Sequence, residues 1–228
     1  MHEEARFDRS SRSRLTARDL GRFGGSTLFD RVGRAVCRAE CLPRKELYEA
    51  WEVARRVRRR LRGGRVIDLA CGHGLLAHLM LVLDDSSPRA LAVDVRIPES
   101  APALAEAMAE AWPRLVGRVA IERASIEAVE VREDDLIVSA HACGALTDAV
   151  LGRAIDARAR VAVLPCCHDA RSCDAGGLEG WLDAPLAIDV TRVARLRAAG
   201  YRAHTQLIPA AITPKNRLIL AVPHAERR

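Results

Sequence analysis

The chain has 228 residues, 36 Lys+Arg against 30 Asp+Glu for a net charge of +6, and 49% hydrophobic residues. That length holds a full core without disulfide or metal staples and suits one domain plus an appendage, and 29% charge with near-average apolar content excludes wholesale disorder. The longest apolar stretch, residues 75–83, is interrupted by His78 and falls far short of the ~20 residues a membrane span needs. The Met1-His2-Glu3-Glu4 start carries no export pattern, and the seven cysteines are odd in number and scattered apart from adjacent Cys166 and Cys167. These features predict a soluble cytoplasmic protein with free thiols and no membrane partner.

The charge is uneven. Residues 1–64 hold 17 basic and 9 acidic side chains, a net +8, so the remainder is −2. A polyanion such as RNA suits that excess, which includes the run Arg55-Arg56-Val57-Arg58-Arg59-Arg60; a solvated helix face and a bias toward Arg (34, against Lys45 and Lys215 alone) suit it equally.

In chain order, residues 1–26 are polar and Arg/Ser-rich and read as a loosely ordered basic arm. Thr27 caps a helix through about residue 41, with Leu28, Val32 and Val36 on one stripe. Pro43 suits the first turn of a second helix, whose buried face is Leu47, Trp51, Ala54, Val57 and Leu61, with Lys45, Glu49, Glu52 and Arg56 nearer the rim. Residues 27–64 thus form an N-terminal helical extension, and residues 65–228 a separate domain. There the pattern becomes strand (66–70), turn (71–74), helix (75–83), strand (90–95), helix (100–112), strand (119–126), strand (136–140), helix (146–155), strand (160–165), helix (185–199) and a final strand pair (201–208, 218–222). Short apolar strands alternating with helices indicate a parallel sheet covered on both faces.

The first strand ends in Asp68-Leu69-Ala70-Cys71-Gly72-His73-Gly74. Glycines there let the backbone turn sharply and approach a ligand. The second strand ends in Asp94, about 20 residues past the turn, where a carboxylate can accept from both ribose hydroxyls of an adenosine-containing cofactor. The turn lacks a complete G-x-G-x-x-G and carries Asp68. A carboxylate repels a pyrophosphate but attracts a cationic amino-acid group, which favours S-adenosylmethionine (SAM), a sulfonium with an ammonium and no phosphate.

Asp68-x-x-Cys71-Gly72-x-Gly74-x-Leu76 followed by Asp94 resembles the first two motifs of class I SAM-dependent methyltransferases, over residues 65–223. The resemblance implies an α/β, Rossmann-like doubly wound sheet of seven mostly parallel strands with an antiparallel last strand. It places Asp68, Ala70, Cys71, Gly72, Gly74 and Asp94 at the cofactor, with Ser125 and Ile126 near the adenine. Ala70 stands where the family usually has its first glycine.

Ligands of open parallel sheets lie beyond the carboxyl ends of the strands, and two unusual clusters fall there: His141-Ala142-Cys143-Gly144-Ala145-Leu146-Thr147-Asp148, and Pro165-Cys166-Cys167-His168. The segment Thr213-Pro214-Lys215-Asn216-Arg217 should enter the same mouth. These clusters resemble the Cys-Gly-x-x-Thr-Asp and Cys-Cys-His signatures of eukaryotic tRNA acceptor-stem ribose 2′-O-methyltransferases and related methyltransferase-like proteins. Pro43-Arg44-Lys45-x-x-x-Glu49 is similar to the basic entry helix of the second group; the zinc-finger modules of the tRNA enzymes are absent. An oxygen acceptor needs its proton removed by a positioned base, and Lys45, His141, His168, Asp148 and Lys215 are the candidates. Cys143, Cys166 and Cys167 could shape the pocket as small apolar residues, or Cys166 or Cys167 could attack a pyrimidine ring. A zinc set of Cys166, Cys167, His168 and Cys173, or of Cys37 and Cys41, is the third alternative. Adjacent cysteines rarely share one tetrahedral ion and no C-x-x-C occurs, so no metal is assigned. The sequence thus points to a SAM-dependent methyltransferase acting on RNA, such as tRNA, through its basic N-terminal region. The alternatives are methylation of a small molecule or protein side chain, or a non-catalytic RNA-binding subunit of the same fold.

Overall fold

The structure, a computed structural model, describes residues 7–224. Seven strands form one sheet in the order β3-β2-β1-β4-β5-β7-β6. They are β1 (Val66–Leu69), β2 (Ala90–Asp94), β3 (Val119–Arg123), β4 (Leu136–Ser139), β5 (Arg160–Val163), β6 (Tyr201–Leu207) and β7 (Arg217–Pro223). The first five run parallel, and β7 lies antiparallel between β5 and β6. The expected seven-stranded, mostly parallel sheet with a reversed last strand is present, most boundaries within two or three residues of expectation.

Strand side chains alternate between two apolar layers, because successive residues point to opposite faces. Val66, Leu136, Val138, Ala162, Leu218 and Leu220 join one core. Ile67, Leu69, Ile137, Val161, Val163, Ile219 and Ala221 join the other. The first face is covered by α1 (Leu28–Ala39), α2 (Arg44–Arg58), α3 (Leu75–Leu83) and α4 (Ala101–Ala111); α5 (Ala145–Ala157) and α6 (Ala184–Ala198) cover the second. Helix α3 is buried almost throughout, since α2 packs against its outer side.

The N-terminal quarter departs from expectation. The arm anticipated over residues 1–26 is packed from residue 7 onward; residues 1–6 lie outside the described residues. Leu15 and Phe23 are 0% and 2% exposed, and a 3-10 turn, Ala17–Phe23, leads into α1. The physical reason is an aromatic cluster: Phe7, Phe23, Phe29, Tyr48 and Trp51 contact one another in sequence, and Arg44 lies over the Phe7 ring at 3.6 Å. The Leu15 and Leu42 backbones pair, and Arg14 bridges to Pro43. Glu49, expected near the rim, is buried and paired with Lys45, while Leu28, expected on the inward stripe, is exposed.

The arginine run is spent mostly on internal contacts. Arg58 pairs with Asp84 at 3.0 Å, both side chains 3% exposed, and donates to Met80 O and Ser87 Oγ, fastening the end of α2 to the end of α3. Arg55 and Arg56 pair with Glu52. No helix among the described residues is long and apolar enough to cross a membrane.

Candidate active site

Strand order reverses between β1 and β4, whose outgoing connections diverge to opposite sides, and a crevice opens there at their carboxyl ends. The turn after β1 is held by alternating left-handed residues: Ala70, Gly72 and Gly74 have φ of 57°, 54° and 77°. Gly74 N donates to Cys71 O, closing the turn, and Cys71 N donates to Val93 O, tying it to β2. Open space surrounds the position where a Cβ of Gly72 would stand. Ala70 thus adopts a left-handed backbone that glycine would take freely, at a cost of about 1–2 kcal/mol.

Both sequence-predicted carboxylates brace this turn. Asp68, 1% exposed, accepts from Ala77 N in the first turn of α3 at 3.1 Å. Asp94 accepts from Gly72 N at 3.0 Å and, through its other oxygen, from Arg96 N at 3.0 Å. Burial, with repulsion from Asp94, pushes the Asp68 carboxyl up to about 8 despite the Ala77 amide. Burial likewise pushes the Cys71 thiol up and the His73 imidazole down. Ala124 N donates to Asp94 O, which sets Ser125 and the buried Ile126 beside the end of β2.

Two cavities adjoin here. The inner one, about 120 Å³, is lined by Asp68, Cys71, Gly72, His73, Ala140 and His141, and roofed by Leu42, Glu46 and Ala50. That is the volume of about four waters, room for an amino-acid end and not for a whole nucleoside. The outer one, about 400 Å³, is lined by Arg12, Lys45, Glu46, Glu49, His141, Cys166, Cys167, Thr213 and Lys215. Glu46 and His141 line both. Sequence reasoning missed Arg12, Glu46 and His73: an arginine in a presumed loose arm, a helical glutamate and the variable residue of a glycine turn carry no pattern of their own.

The thiols converge. Cys143 Sγ lies 2.9 Å from Cys166 Sγ, Cys166 Sγ lies 3.8 Å from Cys167 Sγ, and Lys215 Nζ lies 3.9 Å from Cys167 Sγ. Burial pushes the Cys143 and Cys166 thiols up; contact with Cys143, Cys166 and Lys215 outweighs burial at Cys167 and holds it below its usual value.

Two candidates are placed elsewhere. His168 turns away from the mouth to Asp189, Nε2 to Oδ1 2.9 Å, with both side chains at most 6% exposed. Asp148 receives two hydrogen bonds from the buried Arg192, at 3.0 and 2.8 Å. Asp189 also accepts from Arg217 at 2.6 Å and meets Arg192 at 3.3 Å. Neither His168 nor Asp148 lines the two cavities: a buried ion network claims them because Arg192, 1% exposed, needs carboxylate partners. The largest cavity described, about 440 Å³ between α6, β6 and β7, lies at the far edge of the sheet; of the residues expected in the mouth it holds Arg217, which pairs with Asp189.

A family profile described as a methyltransferase domain matches residues 45–173, more than half of the chain. The chain belongs to this methyltransferase family. No curated protein matches it. Among solved structures, one from Nostoc punctiforme PCC 73102 assigned as an O-methyltransferase superposes with a TM-score of 0.51 at 16% identity, over 90% of this chain and 67% of that one. An uncharacterized protein from Listeria monocytogenes serotype 4b gives 0.50 at 14% identity, over 76% and 67%. Human N-acetylserotonin methyltransferase in complex with SAM gives 0.49 at 14% identity, over 86% and 56%. At these identities the likeness is one of fold.

SAM is the methyl donor that the sequence motifs of this methyltransferase imply. The inner cavity fits that chemistry: its wall carries two carboxylates, Glu46 and Asp68, and no Lys or Arg. A phosphate would be repelled there, and an ammonium or sulfonium drawn in.

Proposed function

We propose that this methyltransferase modifies RNA, at a ribose 2′-hydroxyl or a base of a structured RNA such as tRNA. Its cofactor supplies an electrophilic methyl group on sulfur. Asp68 and Glu46 hold the cationic amino-acid end, Asp94 the ribose, and Ser125 and Ile126 flank the adenine. The outer cavity receives the acceptor. The observation that carries this reading is the meeting of Arg12 and Lys45, from the basic N-terminal quarter, with Lys215, from the loop before β7, on one cavity wall beside the cofactor crevice. Phosphate is the ligand that Arg12 and Lys215 suit best, with Lys45 held beside them by its Glu49 pair. The run over residues 55–60 is a weaker part of the footprint: its exposed members, Arg59 and Arg60, stand about 20 Å along α2 from Glu46.

Methyl transfer is an in-line displacement, so most of the rate comes from holding acceptor and methyl in contact. His141, on the wall common to both cavities, stands where the two would meet and takes the proton of a hydroxyl acceptor. Lys215 orients the acceptor's phosphate. Cys167, the one thiol of the cluster held below its usual pKa, marks where attack on a pyrimidine would start if the acceptor is a base carbon.

Radiolabelled SAM incubated with fractionated cellular RNA, protein and metabolites tests this. Label should enter RNA, and His141→Ala should abolish it while SAM still binds. Arg12→Ser should weaken RNA binding and lower the salt slope of log K by about 1. Label in protein or metabolites alone would overturn the RNA assignment and leave the methyltransferase standing.

A further inference from the structure

Cys143 follows β4, and Cys166 and Cys167 follow β5. The parallel pairing Ser139↔Val163 sets these two loops side by side, so three thiols separated by up to 24 residues of chain meet with all their sulfurs within 4.8 Å of one another. Each reaches the cavity wall or the surface; none is sealed in the core. We propose that Cys143, Cys166 and Cys167 form a binding site for one thiophilic divalent metal ion of the zinc type, on the wall of the outer cavity.

The sulfur spacing favours an ion. Thiolates bound at about 2.3 Å in a tetrahedral shell stand about 3.8 Å apart. The neighbours Cys166 and Cys167 are 3.8 Å apart, so these adjacent residues already hold the spacing of two ligands on one tetrahedral ion. Cys143 and Cys166, at 2.9 Å, need open by only about 1 Å.

The supporting shell is rigid. Gly144 N donates to Cys167 O at 3.2 Å, locking one loop to the other, and Leu146 N donates to Cys143 O at 3.1 Å. Arg192, buried in its carboxylate network, donates to Gly144 O at 2.9 Å, and Thr147 Oγ1 donates to Ala142 O at 2.5 Å. Such outer contacts hold ligands in place before the ion arrives. The other candidates are excluded by position: His168 is bound to Asp189, and Cys173 Sγ takes a hydrogen bond from Arg192 at 3.6 Å. Three protein ligands leave a fourth position, and Cys166 and Cys167 line the cavity into which it opens. Binding forms three metal–sulfur bonds and releases three thiol protons to the buffer, giving a centre of net charge −1 close to the Lys215 ammonium.

Cobalt(II) is the probe, added to the full chain in the absence of oxygen after mass spectrometry confirms that all thiols are reduced. One equivalent should bind, with a thiolate-to-cobalt charge-transfer band and the visible bands of a tetrahedral site, and zinc should displace it. Cys143→Ser and Cys166→Ser should each weaken binding by more than the roughly 10–100-fold that outer-shell changes cost, while Cys173→Ala leaves the band intact. Circular dichroism shows whether each variant is folded. No band at several-fold excess cobalt, a band that survives Cys143→Ser, or a band lost in Cys173→Ala alone would overturn the proposal. So would formation of a Cys143–Cys166 disulfide on peroxide treatment by a protein that binds no ion when reduced. Neither SAM nor an acceptor enters the measurement, so its failure and the failure of the RNA reading are distinguishable; an ion on Cys167 would exclude the base-carbon acceptor and leave the hydroxyl one.

Discussion

Replacing Asp68 separates a cofactor ligand from a mere brace for α3. Burial and repulsion from Asp94 raise its pKa from 3.8 to about 8, against the pull of the Ala77 amide. At about 1.36 kcal/mol per unit, charging it fully costs the ligand-free fold roughly 6 kcal/mol. The folded-state pKa lies above the unfolded one. The stability associated with the bound proton is therefore complete below about pH 4 and is lost as pH rises through about 8. At neutral pH the empty protein keeps this carboxyl protonated, whereas pairing with the SAM ammonium requires the carboxylate. Binding should therefore expel up to one proton. The Kd should tighten by up to about tenfold per pH unit from about pH 6 to 7.5, below the range in which an α-amino group titrates. Calorimetry in two buffers of different ionisation enthalpy counts the proton. Asp68→Asn keeps a carbonyl acceptor for Ala77 N and deletes the charge. Its unfolding free energy at pH 8 should equal or exceed that of the unsubstituted protein. Its SAM Kd should weaken roughly 10–150-fold, the worth of a hydrogen bond to a charged group, with no proton released. An unchanged Kd and proton count would reduce Asp68 to a helix brace and remove the main electrostatic support for the crevice as a SAM site.

Three further substitutions test the scaffold. Asp189→Ala strips a buried carboxylate from His168, Arg192 and Arg217, and should cost about 3–5 kcal/mol in denaturant melts at pH 7. Burial raises the Asp189 pKa, but the hydrogen bonds from His168 and Arg217 outweigh it and hold it low. Its contribution is thus present above the ordinary carboxylate range and fades as pH falls through the folded value, so the difference between the two proteins should shrink in acid. Tyr201→Phe removes a hydroxyl, 1% exposed with its ring, that donates to Ala154 O and Ala159 O at 2.6 and 3.0 Å. The expected loss is about 1–3 kcal/mol with SAM affinity unchanged, and a shifted Kd would show that this corner communicates with the crevice. Gly33→Ala would drive a methyl group into the Phe23 ring and should cost about 1–3 kcal/mol, with faster proteolysis within residues 7–26. A neutral result would mean that this segment does not pack as described.

The strand–helix alternation was legible because the central strands β1, β2, β4, β5 and β7 are short, mostly apolar runs and each helix begins or ends at a Pro, Gly or capping residue. Asp183, for example, caps α6 through Leu186 N, and Gly200 follows that helix. Asp68, the glycine turn and Asp94 were legible for the same reason: their positions are fixed by local sequence relative to two strands. What escaped depends on contacts across the chain. Phe7 and Phe23 are isolated aromatics in a polar stretch, and only their partners Phe29 and Tyr48 give them a core to enter. Arg58 and Arg192 look like surface residues by composition, yet each is buried because carboxylates from distant elements meet it. Hydrophobic periodicity cannot register a buried ion pair. It therefore sent His168 and Asp148 to the mouth on strand-end position alone.

The N-terminal quarter is part of the wall of both cavities, and this changes how substrate selection can be dissected. Leu42, Glu46 and Ala50 roof the inner cavity, and Glu46 continues into the outer one beside Lys45 and Arg12. A segment read from sequence as a basic arm and a helical extension therefore shapes both cavities with the same helix. Cutting it away would remove Leu47, Val53 and Val57, all fully buried, and unroof α3, so a truncated protein would lose both cavities together and say nothing about either. Single substitutions that spare the roof can divide the two. Arg12→Ser alters a cation that lines only the outer cavity, whereas Glu46→Gln alters the one α2 carboxylate that faces both. If the two cavities serve donor and acceptor, the first change should move only acceptor affinity and the second should move both.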